Sequence, residues 1–217
     1  MRKIIDLFRR HGIDILTCAT LASAAFLLSR PIRDKWTKHR AEIARAGSAN
    51  RNWQDISTNS SPLAATPAPM QVVEISDYEC PFCRRSSAAV DSAVSAGTQI
   101  AYLNYPLPSH PHAEGAAIAA LCAGFSGRFR EMHARLMGTN TWESDTNWTR
   151  EAKAAGVVDL PAFDACTHGS AVRTRLAHER ALADSLGVYA TPTFVSRQGV
   201  HHGVASAAEL AALEHRE

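Results

Sequence analysis

Two cysteines separated by two residues, Cys80-Pro81-Phe82-Cys83, stand where a β-branched run gives way to a helical pattern. No other feature constrains the fold of this chain as strongly. Ahead of the pair, Gln71 to Asp77 (QVVEISD) sets Val72, Val73 and Ile75 as in a strand buried on both faces. Behind it, small residues broken by Val90 and Val94 predict a helix to about Ser95, with Gly97 as its stop. Proline at the second position suits a first helical turn. A sulfur at a helix mouth meets unpaired N–H groups and the positive end of the dipole, which favour thiolate over thiol. Cys80 is therefore the expected attacking sulfur, and Cys83, one turn in, the resolving one. Arg84 and Arg85 oppose the dipole where they stand and can instead reinforce the thiolate, while Asp77 and Glu79 act against it. The same spacing is also half a zinc site, with His110, His112, His201 and His202 as candidate completing ligands. A second C-x-x-C is missing, and His110-Pro111-His112 is set more closely than paired ligands usually are, so no metal and no cofactor are expected.

The 217 residues suffice for one ordinary core. A formal charge of +2 is too small for nucleic acid to be the main partner. It conceals a gradient, because residues 1–45 hold ten Lys or Arg against four Asp or Glu, a balance of +6, which leaves −4 for the rest. Within that front end, Ile15 to Ser29 is free of charge and follows Arg2, Lys3, Arg9 and Arg10. This is the shape of a signal sequence or signal anchor over residues 1–30, with membrane contact through residues 12–29. Ala22-Ser23-Ala24 resembles a cleavage site, yet the apolar run continues through Leu28, which favours an uncleaved single-pass anchor over a cleaved signal or a buried helix. Counted by Lys and Arg alone, the stretch from Arg30 to Arg45 would keep the body in the cytoplasm. The cysteine chemistry argues for the opposite, periplasmic side. Residues 31–69 read as a basic membrane-proximal segment followed by a flexible tether, in which Trp53 and Ile56 are two sizeable apolar side chains free to dock on the body.

The domain of residues 70–217 opens strand, helix, strand, the second strand lying in Thr98 to Leu107. Helical segments follow at Ala113 to Ala123, Arg128 to Met137, Trp148 to Ala155, Pro161 to Cys166 and Ala171 to Leu186. Strand character returns at Thr193 to Ser196 and Val200 to Val204, before a last helix from Ala205 to about Leu213. The architecture is α/β, a mixed sheet interrupted by a helical insert over about 108–187.

Four segments in this order carry a family resemblance. Asp77 to Cys83 (DYECPFC), Tyr105 to Ala113 (YPLPSHPHA), Gly127 to His133 (GRFREMH) and Thr191 to Phe194 (TPTF) resemble the DsbA-like branch of the thioredoxin superfamily. The resemblance spans about residues 70–215 and implies a thioredoxin fold with a helical insertion after the second strand. By it, Pro192 is a cis-proline facing the cysteine pair, and Thr191 pairs its backbone with an extended substrate segment. Pro81 and Phe82 would border the substrate, and this pair differs from the Pro-His of strongly oxidising members. Cys122 and Cys166 fall in the insert, where a structural disulfide and two buried free thiols are both open readings. Cys18 reads as an apolar passenger, His133 as a packed helix residue, and Tyr78 either as client-facing surface or as core.

The function implied is a thiol-disulfide oxidoreductase using Cys80 and Cys83 on cysteine-containing protein clients, with a membrane-bound redox recycling partner. A reductase dedicated to one client, such as a cytochrome maturation apoprotein, uses the same residues. The rival of another class is a non-enzymatic peptide-binding module whose C-x-x-C is structural or holds zinc.

Overall fold

The computed structural model describes residues 15–65 and 68–213, which divide into two units, Met1–Ala44 and Arg45–Glu217. Helix α1 (Ile15–Thr58) supplies residues to both and contains Pro31. In the first unit, Phe26 and Leu27 are exposed, and the guanidinium carbons of Arg30 and Arg33 lie 5.3 and 4.4 Å from the Phe26 ring centre. Among the described residues no helix is long and apolar enough to cross a membrane. Charged residues crowd in directly after Ser29, so the uncharged run stops short of the ~20 residues a span needs. The start of the expected anchor, residues 1–14, lies outside the described residues.

The second unit is built on a five-stranded sheet in the order β1-β3-β2-β4-β5. Its strands are β1 (Ser61–Pro62), β2 (Val72–Ser76), β3 (Ile100–Asn104), β4 (Thr193–Val195) and β5 (Val200–His202). β2 and β3 run parallel through the crossover helix α2 (Pro81–Ser95), and every other pairing is antiparallel. All five residues of β2 are buried, as its β-branched run requires of a central strand covered on both faces. The alternation of side chains then assigns the layers. Val72 packs with Val90 and Ala93 of α2 and with Leu210 of the last helix, α8 (Ala207–Ala212), while Val73 and Ile75 face the other way.

That other face is covered in part by a segment whose composition predicts a tether. Residues 46–58 are helical, and Ala49, Trp53 and Ile56 are buried against Val73, Ile75, Ala101 and Leu103. The physical reason is spacing: positions i, i+4 and i+7 put three apolar side chains on one helix face, although the polar residues between them dominate the average. Hydrogen bonds hold the end of α1 and the chain after it. Leu63 N–H donates to Ile100 O at 2.9 Å, and Arg175 donates both to Asn59 O and to the buried Glu179 carboxylate.

Between β3 and β4 come five helices, α3 (Ala113–Phe125), α4 (Phe129–Gly138), α5 (Trp148–Ala154), α6 (Leu160–His168) and α7 (Ser170–Ser185). Their shared core includes Cys122, Met132, Leu136, Trp142 and Phe163. Cys122 of α3 is bonded to Cys166 of α6, with Cα atoms 5.8 Å apart. Asp159 caps α6 by accepting from Ala162 N–H, and Pro161 sits in its first turn.

Candidate active site

β2 ends at Ser76, and the chain turns through Asp77 to Glu79 before α2 begins. Cys80 is the N-cap of α2 with extended backbone angles (φ −72°, ψ 121°), and Pro81 opens the first turn. The helix caps itself with no side-chain hydrogen bond, so the first amide groups are left facing the Cys80 sulfur. Both sulfurs are free thiols, Cys80 3% exposed and Cys83 0%.

Across from them, the Thr191–Pro192 peptide bond is cis. The Cys80 sulfur lies 3.5 Å from Thr191 O. β4 and β5 fix that loop, since Gly203 N–H donates to Pro192 O at 2.8 Å and the Thr193 hydroxyl donates to Ala190 O at 2.8 Å. The Thr191 hydroxyl is buried beside the Cys80 sulfur. Cys80, Cys83, Pro81, Phe82, Thr191 and Pro192 are thus brought to one place, with Phe82 half exposed at its rim. Tyr78 is not part of that rim. It is buried, stacked on Tyr102 at 4.9 Å, with its hydroxyl 3.3 Å from His133 Nδ1.

The two sulfurs differ sharply in acidity. Hydrogen bonding from the Cys83 thiol is the largest cause holding the Cys80 pKa down to about 5, helped by Thr191 and by the backbone amides of Cys83 and Phe82 against the cost of burial. Burial, and the proton Cys83 donates to its neighbour, push Cys83 far above an ordinary thiol. Beneath them the carboxyl of Glu74 on β2 is raised by burial to about 7. His133, also buried, is lowered to about 3 and is neutral.

The partners of several supporting residues escape sequence reasoning. Asp77 accepts from the amides of Glu79 and Leu107 and pairs with His110 Nδ1, each at 2.8 Å. Glu79 accepts from His112 N–H at 2.7 Å. These two carboxylates are used to pin the 105–113 loop to the turn before the cysteines, which is what their conflict with the thiolate offsets. Arg84 donates to Tyr78 O and to Glu143 at 2.5 Å, and its guanidinium lies 5.3 Å from the Trp142 ring centre. Arg85 lies over Phe82 at 4.3 Å. Both arginines therefore have partners other than the thiolate. A candidate signal was available in the motif order, because the loop from Tyr105 to Ala113 is spaced to return to the strand end. The four histidines considered for zinc are used differently: His110 on Asp77, His112 through its backbone, His201 on Val204 O and His202 against Thr193. Among the described residues no three His, Cys, Asp or Glu side chains are grouped to hold a metal.

A family model described as Thioredoxin matches residues 63–213, and the chain belongs to the thioredoxin family. A thioredoxin-like oxidoreductase from Silicibacter pomeroyi DSS-3 is 30% identical, with a TM-score of 0.64 over 71% of this chain and 90% of that one. The thiol-disulfide exchange protein alpha-DsbA2 from Wolbachia pipientis shares the fold at 17% identity, with a TM-score of 0.69 over 80% of this chain and 95% of that one. Among curated relatives, Na(+)/H(+) antiporter NhaA 1 of Mycolicibacterium gilvum is 37% identical over 152 residues, which is 66% of this chain and 24% of the antiporter. The chain spans about a quarter of the length of such relatives.

Proposed function

We propose that the protein is a thiol-disulfide oxidoreductase acting on cysteine-containing protein clients, with Cys80 as the exchanging sulfur and Cys83 as its partner, and that it works in the oxidising direction. One observation carries this reading: the Cys80 sulfur, at a helix mouth and beside the Thr191 side chain, receives a proton donor in Cys83, and its pKa falls to about 5. Whatever stabilises the Cys80 thiolate stabilises the reduced enzyme against its disulfide, which makes the disulfide a stronger oxidant.

In the first step a client thiolate attacks Cys80 Sγ of the Cys80–Cys83 disulfide, a client–Cys80 bond forms, and Cys83 leaves as a thiolate that takes up a proton. A second client thiolate then attacks the client sulfur of this mixed disulfide. The client gains a disulfide, and Cys80 departs as the stabilised thiolate. Two electrons pass to the enzyme, and a disulfide-bearing redox partner, which we place at the membrane, takes them back by the same exchange in reverse. The backbone beside Pro192 would align the client as an added strand.

An extracytoplasmic, periplasmic location is part of the proposal, supported by the Cys122–Cys166 bond, which persists in oxidising compartments. Residues 12–29 would serve as the membrane attachment. Protease accessibility of the body in intact and opened cells tests the location, and protection in intact outer-membrane-stripped cells would reverse it.

The direction is tested by equilibrating the Cys80/Cys83 couple with glutathione. A potential between about −200 and −120 mV is expected, and one near the thioredoxin value of about −270 mV would make the protein a reductase. A peptide-binding module without exchange chemistry would leave a scrambled disulfide substrate unchanged.

A further inference from the structure

Arg84 and Arg85 are adjacent in sequence but end in different roles. Arg84 is turned inward to Tyr78 O, Glu143 and Trp142. Arg85 is exposed and rests on the exposed Phe82 ring, and among the described residues no carboxylate pairs with it. A cation opposing its own helix dipole and lacking an acid partner is an unspent charge at the edge of the site.

A second exposed aromatic stands on the loop that carries Thr191. Tyr189 is 70% exposed and Phe82 51%, whereas most large apolar side chains of 45–217 are buried. Phe82 follows Cys80 by two residues and Tyr189 precedes Thr191 by two, and Cys80 and Thr191 touch through sulfur and carbonyl. Tyr189 is propped by the His202 ring at 5.2 Å, and His202 is itself tied to the Thr193 hydroxyl at 3.1 Å. Two exposed aromatic rings backed by packed neighbours thus stand within two residues of the two sides of the Cys80–Thr191 contact, and one of them carries a positive charge. Aromatic side chains of this kind give contact area at low entropic cost, and an exposed apolar patch rimmed by polar groups marks an interaction surface.

We propose that Phe82 with Arg85, and Tyr189 with His202, form a client-reading surface that selects extended cysteine segments bearing an aromatic or large aliphatic residue and a carboxylate close to the cysteine. The selection rests on the exchange activity proposed above and names its preferred substrate. The apolar neighbour of the client cysteine lies between Phe82 and Tyr189, and the client carboxylate meets the Arg85 guanidinium.

The test uses the full-length protein in its disulfide form and four dithiol peptides with Phe or Ala, and Glu or Gln, beside the cysteine. Exchange rate constants are measured, with glutathione as a thiol that lacks the flanking side chains. The Phe peptides are expected to react about fivefold faster than the Ala peptides. Glu peptides should exceed Gln peptides about threefold at low salt, a ratio falling toward one at about 0.5 M salt. Arg85→Glu should invert the Glu/Gln ratio, Arg85→Lys should keep most of it, and Tyr189→Ala should shrink the Phe/Ala ratio. Each ratio is taken within one variant, so partial unfolding cancels. Equal rates for all four peptides, with glutathione reacting normally, would overturn the selection alone. Failure of glutathione and peptides together would overturn the exchange reading.

Discussion

The domain holds two pairs of cysteines, and they end in opposite states. Cys80 and Cys83, three positions apart, are free thiols, while Cys122 and Cys166, 44 positions apart, are bonded. Proximity along the chain does not decide the outcome; surroundings do. The near pair has a helix mouth with its free amides, a thiol donor in Cys83 and the Thr191 side chain around one sulfur, and these favour its ionised state. The far pair joins Cys122, buried within α3, to the partly buried Cys166 near the end of α6, and neither sulfur stands at a helix mouth. One pair is surrounded for ionisation, the other is closed into a bond.

The comparison breaks first at Cys80. Cys80→Ser should abolish exchange with protein clients, while Cys83→Ser should accumulate client-linked enzyme on non-reducing gels. Equal trapping by the two variants would show that the roles are assigned to the wrong sulfurs.

For the far pair, replacing Cys122 and Cys166 together by Ala should cost about 4 kcal/mol of unfolding free energy in urea, the chain-entropy value for a loop of this length. The glutathione exchange rate should hardly move. A loss of exchange without a loss of stability would give the insert bond a part in the chemistry.

The thiolate sharpens the contrast through pH. With the Cys80 pKa at about 5 in the folded state and an ordinary 9 unfolded, the unfolded chain binds more protons between these values. The reduced protein therefore gains stability as pH rises from 5 toward 9, by roughly 3 kcal/mol at pH 7, and loses that gain as pH falls through 5. Urea midpoints of reduced wild type and Cys80→Ser across this range measure the difference, and parallel curves would remove the thiolate from the account. Absorbance at 240 nm should titrate in the same window.

The smallest effect belongs to the helix that carries Cys166. Asp159→Ala removes the α6 cap and should cost about 1 kcal/mol without altering the Cys80 titration. A shift in that titration would mean that the two pairs are coupled through the insert.

Much of the body is legible in the residues. The β-branched run before Cys80, the proline after it, and the helical insert between two strand regions all follow from local propensity and period, and the motif order extends this to Pro192. Trp53 and Ile56 are not legible from composition, because the polar residues between them hide a helical stripe that acquires meaning only against Val73 and Leu103. Nor is Glu74: a carboxyl in a run of valines reads as an interruption, and its raised pKa follows from burial on the strand that sits under both sulfurs.

The helix mouth at Cys80 was written in the chain, since the groups that shape it lie within about four residues and obey backbone geometry. Which sulfurs bond, where Arg84 turns, and which carboxylates pin the loop were decided by tertiary structure. Each of these depends on partners dozens of residues away, whose approach is set by packing and not by sequence spacing.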